Sequence, residues 1–230
     1  MTLLKPVLLL SAAVLLSACS SRTEQAQDLL KSHLGEKVFL EFQNVEVFHG
    51  GAVCGEYRSN DPYRGSSRYR RFVVWGDTAT ERPSKQDWAI FCSEDPGTAL
   101  RANYGIGPVS DEENQLPKLR EDLRQLQSAL EQYQVDNSML PTPDQGMAAL
   151  VTAPTTPPLP IRYRAGGYIE SLPTDPWGRP YVYDNSRLGG GIVQQFNLYT
   201  LGADGVPGGK GKNADVSLDH LKYLDLLTPH

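Results

Sequence analysis

The stretch from Leu201 to Asp215 contains the residues best suited to binding a cation. It holds five glycines, and Asp204 and Asp215 supply two carboxylates. Glycine adopts positive φ without strain, so such a loop can turn sharply and direct its backbone carbonyls inward. Calcium binds about six to eight oxygens from carboxylates and carbonyls. Because the spacing is not that of an EF-hand, the pattern predicts either a calcium loop of another kind or an ordinary surface hairpin.

The remaining reactive side chains do not form a catalytic pattern. The four histidines have neither the spacing of metal ligands nor a nucleophile beside them. We find no Ser/His/Asp set and no motif of paired carboxylates in a pocket. The sequence therefore predicts a protein that is not an enzyme and identifies no small-molecule substrate.

The N-terminus has the features of a secretory signal. Lys5 is followed by an apolar run from Val7 to Leu16, which is too short for a stable membrane span. Residues Leu16 to Cys19 resemble the lipobox of bacterial lipoproteins, in which the cysteine is lipidated and becomes the mature N-terminus. The resemblance implies that residues 1–18 are removed and that Cys19 carries a lipid anchor. Ser20 after the cysteine implies the outer membrane, with the protein facing the periplasm or the exterior.

The other two cysteines, Cys54 and Cys92, are predicted to form a disulfide bond. An even pair in an oxidising compartment is more often bridged than free, and two separate buried thiols are the alternative. The formal charge of the chain is −5, and it becomes −6 when Lys5 is removed with the signal. This acidic balance argues against nucleic acid as a partner and is consistent with a soluble domain in the cell envelope.

The first half of the mature chain is predicted to form a small α+β domain. Residues 19–36 read as a polar tether with a short helix from Gln25 to Leu34, which ends at Gly35. The domain itself is assigned to residues 37–110. Its predicted strands are 38–48, which forms one or two half-buried strands, 52–57 and 69–75. The type of segment 87–92 stays open.

The second half, residues 111–230, begins with an amphipathic helix. Apolar residues recur at intervals of three and four and predict a helix that ends near Asn137; they are Leu116, Leu119, Leu123, Leu126, Leu130 and Tyr133. A proline-rich segment follows, with a short helical patch at 144–151. Three predicted strands, 167–172, 180–184 and 196–201, then complete an α+β layer, and the tail 218–227 is suited to a further helix.

Residues 116–216 resemble the globular half of the major pseudopilin of bacterial type II secretion systems. The matching pieces are LEQYQVDN at 130–137, PTPDQGMAALVTAPTTPP at 141–158, GGYIESLPTDPWGRPY at 166–181 and YTLGADG at 199–205. The resemblance implies a long helix packed on a small antiparallel sheet, followed by a calcium loop. It also implies secretion-system or pilus proteins as partners.

Carried over by matching positions, the resemblance implies a set of calcium ligands in the loop. They are the carbonyls of Leu201 and Val206, the carboxylate of Asp204, and an oxygen of Asn213 or Asp215. Lys210 and Lys212 stand where the family often has acids, and Asn213 where it often has a carboxylate. A divalent ion should therefore bind weakly, as a structural ion. Weak sites can still fill outside the cytoplasm, where dissociation constants of about 10⁻⁴–10⁻³ M are common.

A second departure concerns the long apolar N-terminal helix by which pseudopilins polymerise. The chain shows no such segment, so we do not expect it to assemble as a core subunit of a pilus. The favoured hypothesis is a non-enzymatic envelope lipoprotein that acts with a secretion or pilus machine. The alternative is an independent envelope binding protein that reuses the fold, because fold similarity alone does not transfer function.

Overall fold

The computed structural model describes residues 10–35, 39–59, 68–107, 114–185 and 196–228, with side chains from Arg22 onward. The chain divides into two compact units, Met1–Ala99 and Leu100–His230. Both contain helices and antiparallel sheet, which confirms the predicted α+β class. The start of the predicted signal and the predicted domain borders at 36/37 and 110/111 lie outside the described residues.

A four-stranded antiparallel sheet forms the centre of the first unit. Its strands are β1 (Leu40–Val47), β2 (Val53–Ser59), β3 (Arg70–Trp75) and β4 (Thr78–Glu81), in that spatial order. The sequence is rich here in valine, phenylalanine, tyrosine and threonine, which suit a pleated, half-buried surface.

Helix α1 (Leu10–Leu34) covers one face of this sheet. Alternate residues of β2 and β3 meet Ala26 and Leu30 of the helix in a buried core; these strand residues are Val53, Tyr57, Phe72 and Val74. The helix is longer than predicted, because it begins at Leu10 instead of Gln25. Neither glycine nor proline interrupts the sequence between Leu10 and Leu34, so nothing in the backbone stops the helix earlier.

The disulfide bond between Cys54 and Cys92 is confirmed. Cys54 lies on β2 and is almost fully buried, and Cys92 follows α2 (Lys85–Phe91). The segment at 87–92, whose type the sequence left open, is thus helical. Its N-terminus is capped by Ser84, whose Oγ accepts a hydrogen bond from the Asp87 amide at 2.9 Å. The third helix, α3 (Pro96–Tyr104), then leads into the second unit.

The second unit is built on α4 (Leu116–Asn137). All six residues of the predicted apolar stripe are buried, as the helical period requires. A three-stranded antiparallel sheet follows, with β5 (Val182–Asp184), β6 (Asn197–Thr200) and β7 (Val216–Ser217) in that order. The tail forms α5 (Leu221–Leu227), whose Asp225 pairs with Arg120 and Arg124 of α4.

The strand predicted at 167–172 is wrong. This segment bends instead, and the amides of Tyr168 and Ile169 both donate to the carbonyl of Leu150. Gly167 precedes them at φ +84, where a Cβ would come within 2.7 Å of that same carbonyl. The hydrogen bonds that would join a strand to a sheet are therefore used to hold the bend. The helical patch at 144–151 is a short 3₁₀ helix, Met147–Leu150.

Candidate functional site

The loop that joins β6 to β7 closes on itself through glycine contacts. A Cβ on Gly202 would lie 2.6 Å from the carbonyl carbon of Asn213, and one on Gly209 would lie 2.3 Å from the Asn213 oxygen. Both glycines have positive φ, which other residues adopt only with strain. The amide of Ala203 donates to the Lys212 carbonyl at 2.8 Å and joins the two ends of the loop. Only glycine fits at these two positions.

The structure places all five residues predicted as calcium ligands on this loop. Asp204 is exposed, and its Oδ1 accepts a hydrogen bond from the Val206 amide at 3.1 Å. Asp215 is half-buried, and its Oδ2 accepts from the Gly208 amide at 2.9 Å. The other oxygen of Asp215, Oδ1, is buried without a hydrogen-bond partner among the described residues. A buried carboxylate oxygen is costly when unpaired, so this atom is suited to a cation.

The charge of the loop limits what it can bind. Asp204 and Asp215 contribute two negative charges, and the exposed Lys210 and Lys212 contribute two positive ones, so the formal charges cancel. No group of three or more His, Cys, Asp and Glu side chains suited to a metal ion occurs in the described part of the chain. Backbone carbonyls would therefore have to supply most of the ligands of a cation here.

Two residues that the sequence analysis missed hold the loop in place. Arg179 donates through Nη1 to the Gly202 carbonyl and through Nη2 to the Ala203 carbonyl, both at 2.6 Å. These carbonyls are thereby occupied, whereas the predicted carbonyl ligands are those of Leu201 and Val206. Charge-assisted hydrogen bonds from a guanidinium are among the stronger ones in proteins.

Asp175 is the second of them and is buried at 2 % exposure. Its Oδ2 accepts a hydrogen bond from the Thr200 hydroxyl at 2.5 Å, immediately before the loop. Its Oδ1 accepts from the amides of Trp177 and Arg179 at 3.0 and 2.8 Å. One carboxylate thus fixes both the turn that carries Arg179 and the strand that enters the loop. The Asp-Pro-Trp-Gly turn was the local signal that could have drawn attention to it.

A third set of contacts anchors the same turn to α4. The carboxylate of Asp122 accepts hydrogen bonds from Lys118 Nζ at 2.5 Å and from the Tyr181 hydroxyl at 2.6 Å. Lys118 also donates to the Thr174 carbonyl at 2.8 Å. Burial, together with the hydrogen bond to Asp122, raises the pKa of Tyr181, so its hydroxyl stays protonated and keeps donating. The long helix and the loop therefore belong to one hydrogen-bonded network.

No histidine in the part of the chain that the structure describes belongs to a cluster that could hold a metal ion. His220 follows β7, and its Nδ1 accepts a hydrogen bond from the Ser217 amide at 3.1 Å. Burial lowers the pKa of His220, which keeps the ring neutral and able to accept. None of the helices in the described ranges has the length and apolar character needed to cross a membrane.

Comparison with known proteins gives one consistent result for this unit. The family model described as type II secretion system (T2SS), protein G, matches residues 110–219. Core protein G of the type II secretion system of Vibrio cholerae is 50 % identical over 95 residues, which cover 41 % of this chain and 62 % of that protein. The corresponding protein of Pseudomonas aeruginosa is 43 % identical over 95 residues, covering 41 % and 64 %.

A solved structure gives a similar alignment. The major pseudopilin from the type 2 secretion system of enterohaemorrhagic Escherichia coli is 38 % identical, with a TM-score of 0.38. The alignment covers 45 % of this chain and 85 % of that one. The chain spans less than two thirds of the length of the curated relatives named above. Residues 110–219 are thus a pseudopilin-like domain, similar in sequence to protein G of type II secretion systems.

Proposed function

We propose that this chain is a non-enzymatic envelope lipoprotein whose pseudopilin-like unit acts as a structural or interaction component of type II secretion or pilus-like machinery. The observation that carries the proposal is the match of residues 110–219 to protein G, a core protein of such systems in the relatives. The alternative is an independent envelope binding lipoprotein that reuses the fold. It is favoured by the first unit, which lies outside the matched residues.

Affinity purification from detergent-solubilised envelopes tests this proposal. The full chain carries a C-terminal tag, and an unrelated lipoprotein with the same tag is the control. We expect components of a secretion or pilus machine to be enriched about tenfold or more over the control, because specific interfaces bury more surface than chance contacts do. Enrichment of other envelope proteins alone would favour the independent binding protein and contradict the proposal.

The proposed membrane anchor is a lipid on Cys19. Support comes from the short apolar run and the Leu16–Cys19 box, with the small residues Ser17 and Ala18 between. We predict that the mature chain partitions into the detergent phase and that Cys19→Ala moves it to the aqueous phase and blocks normal cleavage. Phase partitioning and intact mass measure both effects. Detergent partitioning and normal cleavage of Cys19→Ala would contradict the lipid anchor.

The proposed ion of the β6–β7 loop is a structural calcium. The residues fit such an ion because Asp215 Oδ1 is buried without a hydrogen-bond partner among the residues that the structure describes, and the glycines let neighbouring carbonyls converge. The carbonyls of Leu201 and Val206, the Asp204 carboxylate, and an oxygen of Asn213 or Asp215 would hold it. The ion would offset the repulsion among these oxygens, and the two lysines would keep the affinity low.

We predict that calcium raises the melting temperature of the second unit. A ligand at 100 times its dissociation constant stabilises a protein by about 2.7 kcal/mol, which corresponds to several degrees for a unit of this size. Differential scanning calorimetry of the full chain, with millimolar calcium or with chelator, measures the shift. Asp204→Ala should abolish it, whereas Asp144→Ala, an exposed aspartate outside the loop, should not.

Two results would contradict this prediction in different ways. Equal melting temperatures of the wild type in calcium and in chelator would leave only an ordinary hairpin. A calcium shift that survives in Asp204→Ala would mean that the ion binds elsewhere.

A further inference from the structure

The segment that precedes the matched residues packs against the β6–β7 loop. We call residues 100–107, the end of α3 and the turn after it, the strap. Leu100 and Ile106 are buried at 0 and 1 % exposure, so the strap is fixed at two points. Ile106 lines a cavity of about 20 Å³ beside Leu116 of α4 and Gly211 of the loop. The strap therefore lies between the start of the long helix and the loop.

Gly105 makes the closest approach to the loop. Its carbonyl accepts a hydrogen bond from the Gly211 amide at 2.7 Å. Gly105 has φ +73, and a Cβ there would lie 3.0 Å from Lys210 Cγ and 3.3 Å from the Gly209 carbonyl. Such contacts are tighter than real Cβ atoms normally make, so a side chain at this position would displace the Lys210 side chain and the Gly209 carbonyl by a few tenths of an ångström.

Tyr104 joins the strap to the segment that follows the loop. Its ring packs edge to face on the His220 ring, with 4.7 Å between the ring centroids, and its centroid lies 5.6 Å from that of the Tyr223 ring. Edge-to-face and tilted aromatic pairs at such distances are attractive beyond the area they bury. Tyr223 is buried on α5, which also pairs with α4 through Asp225. The strap thus contacts the loop at Gly211 and the chain beyond β7 at His220.

The residues that support the loop from the strap and from the chain beyond β7 lie outside the matched region, whereas the loop lies inside it. The match spans residues 110–219, so Tyr104, Gly105, His220 and Tyr223 lie outside it. Asp215 Oδ1 has no hydrogen-bond partner among the described residues, so this carboxylate oxygen contributes nothing to holding the loop closed. A loop with few buried apolar contacts of its own opens locally unless other segments hold it.

We propose that the strap, residues 100–107, holds the β6–β7 loop closed in the absence of calcium and thereby preorganises the site for the ion. The first part stands on the contacts of Tyr104 and Gly105 alone. The second part rests on the calcium binding proposed above. The strap shifts the equilibrium between open and closed loop toward the closed form, which is the form that binds calcium. Less of the free energy of calcium binding is then spent on ordering the loop.

Lysine-specific proteolysis of the full mature chain in chelator tests the first part. Lys210 and Lys212 are exposed in the loop, so cleavage after them reports how often the loop opens, and cleavage after Lys118 in α4 reports wider unfolding. We expect Gly105→Ala to be cleaved at the two loop sites about tenfold faster than wild type, because the added Cβ crowds the Gly209 carbonyl and weakens the contact between strap and loop.

Gly166→Ala is the matched control. Gly166 lies in the same unit at φ +88, but nothing lies within 4 Å of an added Cβ, so this variant carries the backbone strain without the clash. It should be cleaved at the wild-type rate at the loop sites. Equal rates for Gly105→Ala and wild type would overturn the proposal, as would an equal acceleration in the two variants.

A second variant keeps the test decisive if Gly105→Ala unfolds the unit. Tyr104→Ala removes a ring that is 36 % exposed and leaves the backbone contact of Gly105 unchanged. It should accelerate cleavage after Lys210 and Lys212 more than cleavage after Lys118. Equal acceleration at all three sites would show general destabilisation and would overturn the proposal.

Calcium added to the same assay tests the second part. It should slow loop cleavage in the wild type, and Gly105→Ala should need about tenfold more calcium for the same protection. The same calcium requirement in both chains would overturn the preorganisation. A wild type that calcium does not protect would count against the calcium site and against preorganisation, whereas the chelator experiment would still decide whether the strap holds the loop.

Discussion

Replacing Cys54 and Cys92 together by alanine should lower the free energy of unfolding of the first unit by about 4 kcal/mol. The disulfide joins residues 38 positions apart, and the cross-link restricts the unfolded chain by an amount that grows with the length of the closed loop. Reduction of the wild type should have a similar effect. This is a large share of the stability of a small unit, which is marginal without such a cross-link.

Urea denaturation followed by tryptophan fluorescence measures this effect. Trp75 and Trp88 lie in the first unit and Trp177 in the second, so Trp177→Phe isolates the signal of the first. Glu94→Ala, which changes an exposed side chain of the first unit and leaves the bridge intact, is the control and should unfold like the parent chain. A loss below about 1 kcal/mol in the double variant would show that the disulfide is unimportant for stability.

Replacing Asp175 by alanine should cost the second unit about 3 kcal/mol or more. The substitution removes the buried acceptor of the Thr200 hydroxyl and of the amides of Trp177 and Arg179. Buried donors left without a partner each cost about 1–3 kcal/mol. The loop should loosen as well, because Arg179 would no longer be held beside the carbonyls of Gly202 and Ala203.

Chemical denaturation in chelator separates this effect from that of calcium. Asp175→Asn keeps one acceptor oxygen for the two amides and should cost clearly less than Asp175→Ala. Asp144→Ala removes an exposed carboxylate from the same unit and should cost less than about 0.5 kcal/mol. If Asp175→Ala were as mild as Asp144→Ala, the proposed role of Asp175 in fixing the turn and the strand would be wrong.

The parts of the fold that could be predicted from sequence depend on local repetition. The stripe of α4 repeats at the helical period over five turns, and each of its residues is buried as expected. The disulfide followed from the number of cysteines and the predicted compartment. The segment at 167–172 contains apolar residues typical of a strand, but the amides of Tyr168 and Ile169 donate to the Leu150 carbonyl and not to a neighbouring strand. The composition of a segment of six residues does not show which groups its backbone amides and carbonyls bond to.

The candidate site divides in the same way. Asp204, Asp215 and the loop glycines are close in sequence and could be identified together. The supports of the loop are distant in sequence: Asp175 meets Thr200 from 25 positions away, and Gly105 meets Gly211 across almost the whole unit. Such pairings depend on tertiary packing, which a single sequence does not display.

Site-specific photocrosslinking in intact cells tests whether the pseudopilin-like unit contacts a secretion or pilus machine, as proposed. Val135 and Ile161 of the second unit are 80 and 73 % exposed, and Phe39 of the first is 83 % exposed, so each can carry a photoreactive residue without disturbing a core. We expect cross-links from Val135 or Ile161 to a component of such a machine, at higher yield than from Phe39. The absence of any such component from the products of both second-unit positions would contradict the proposed contact.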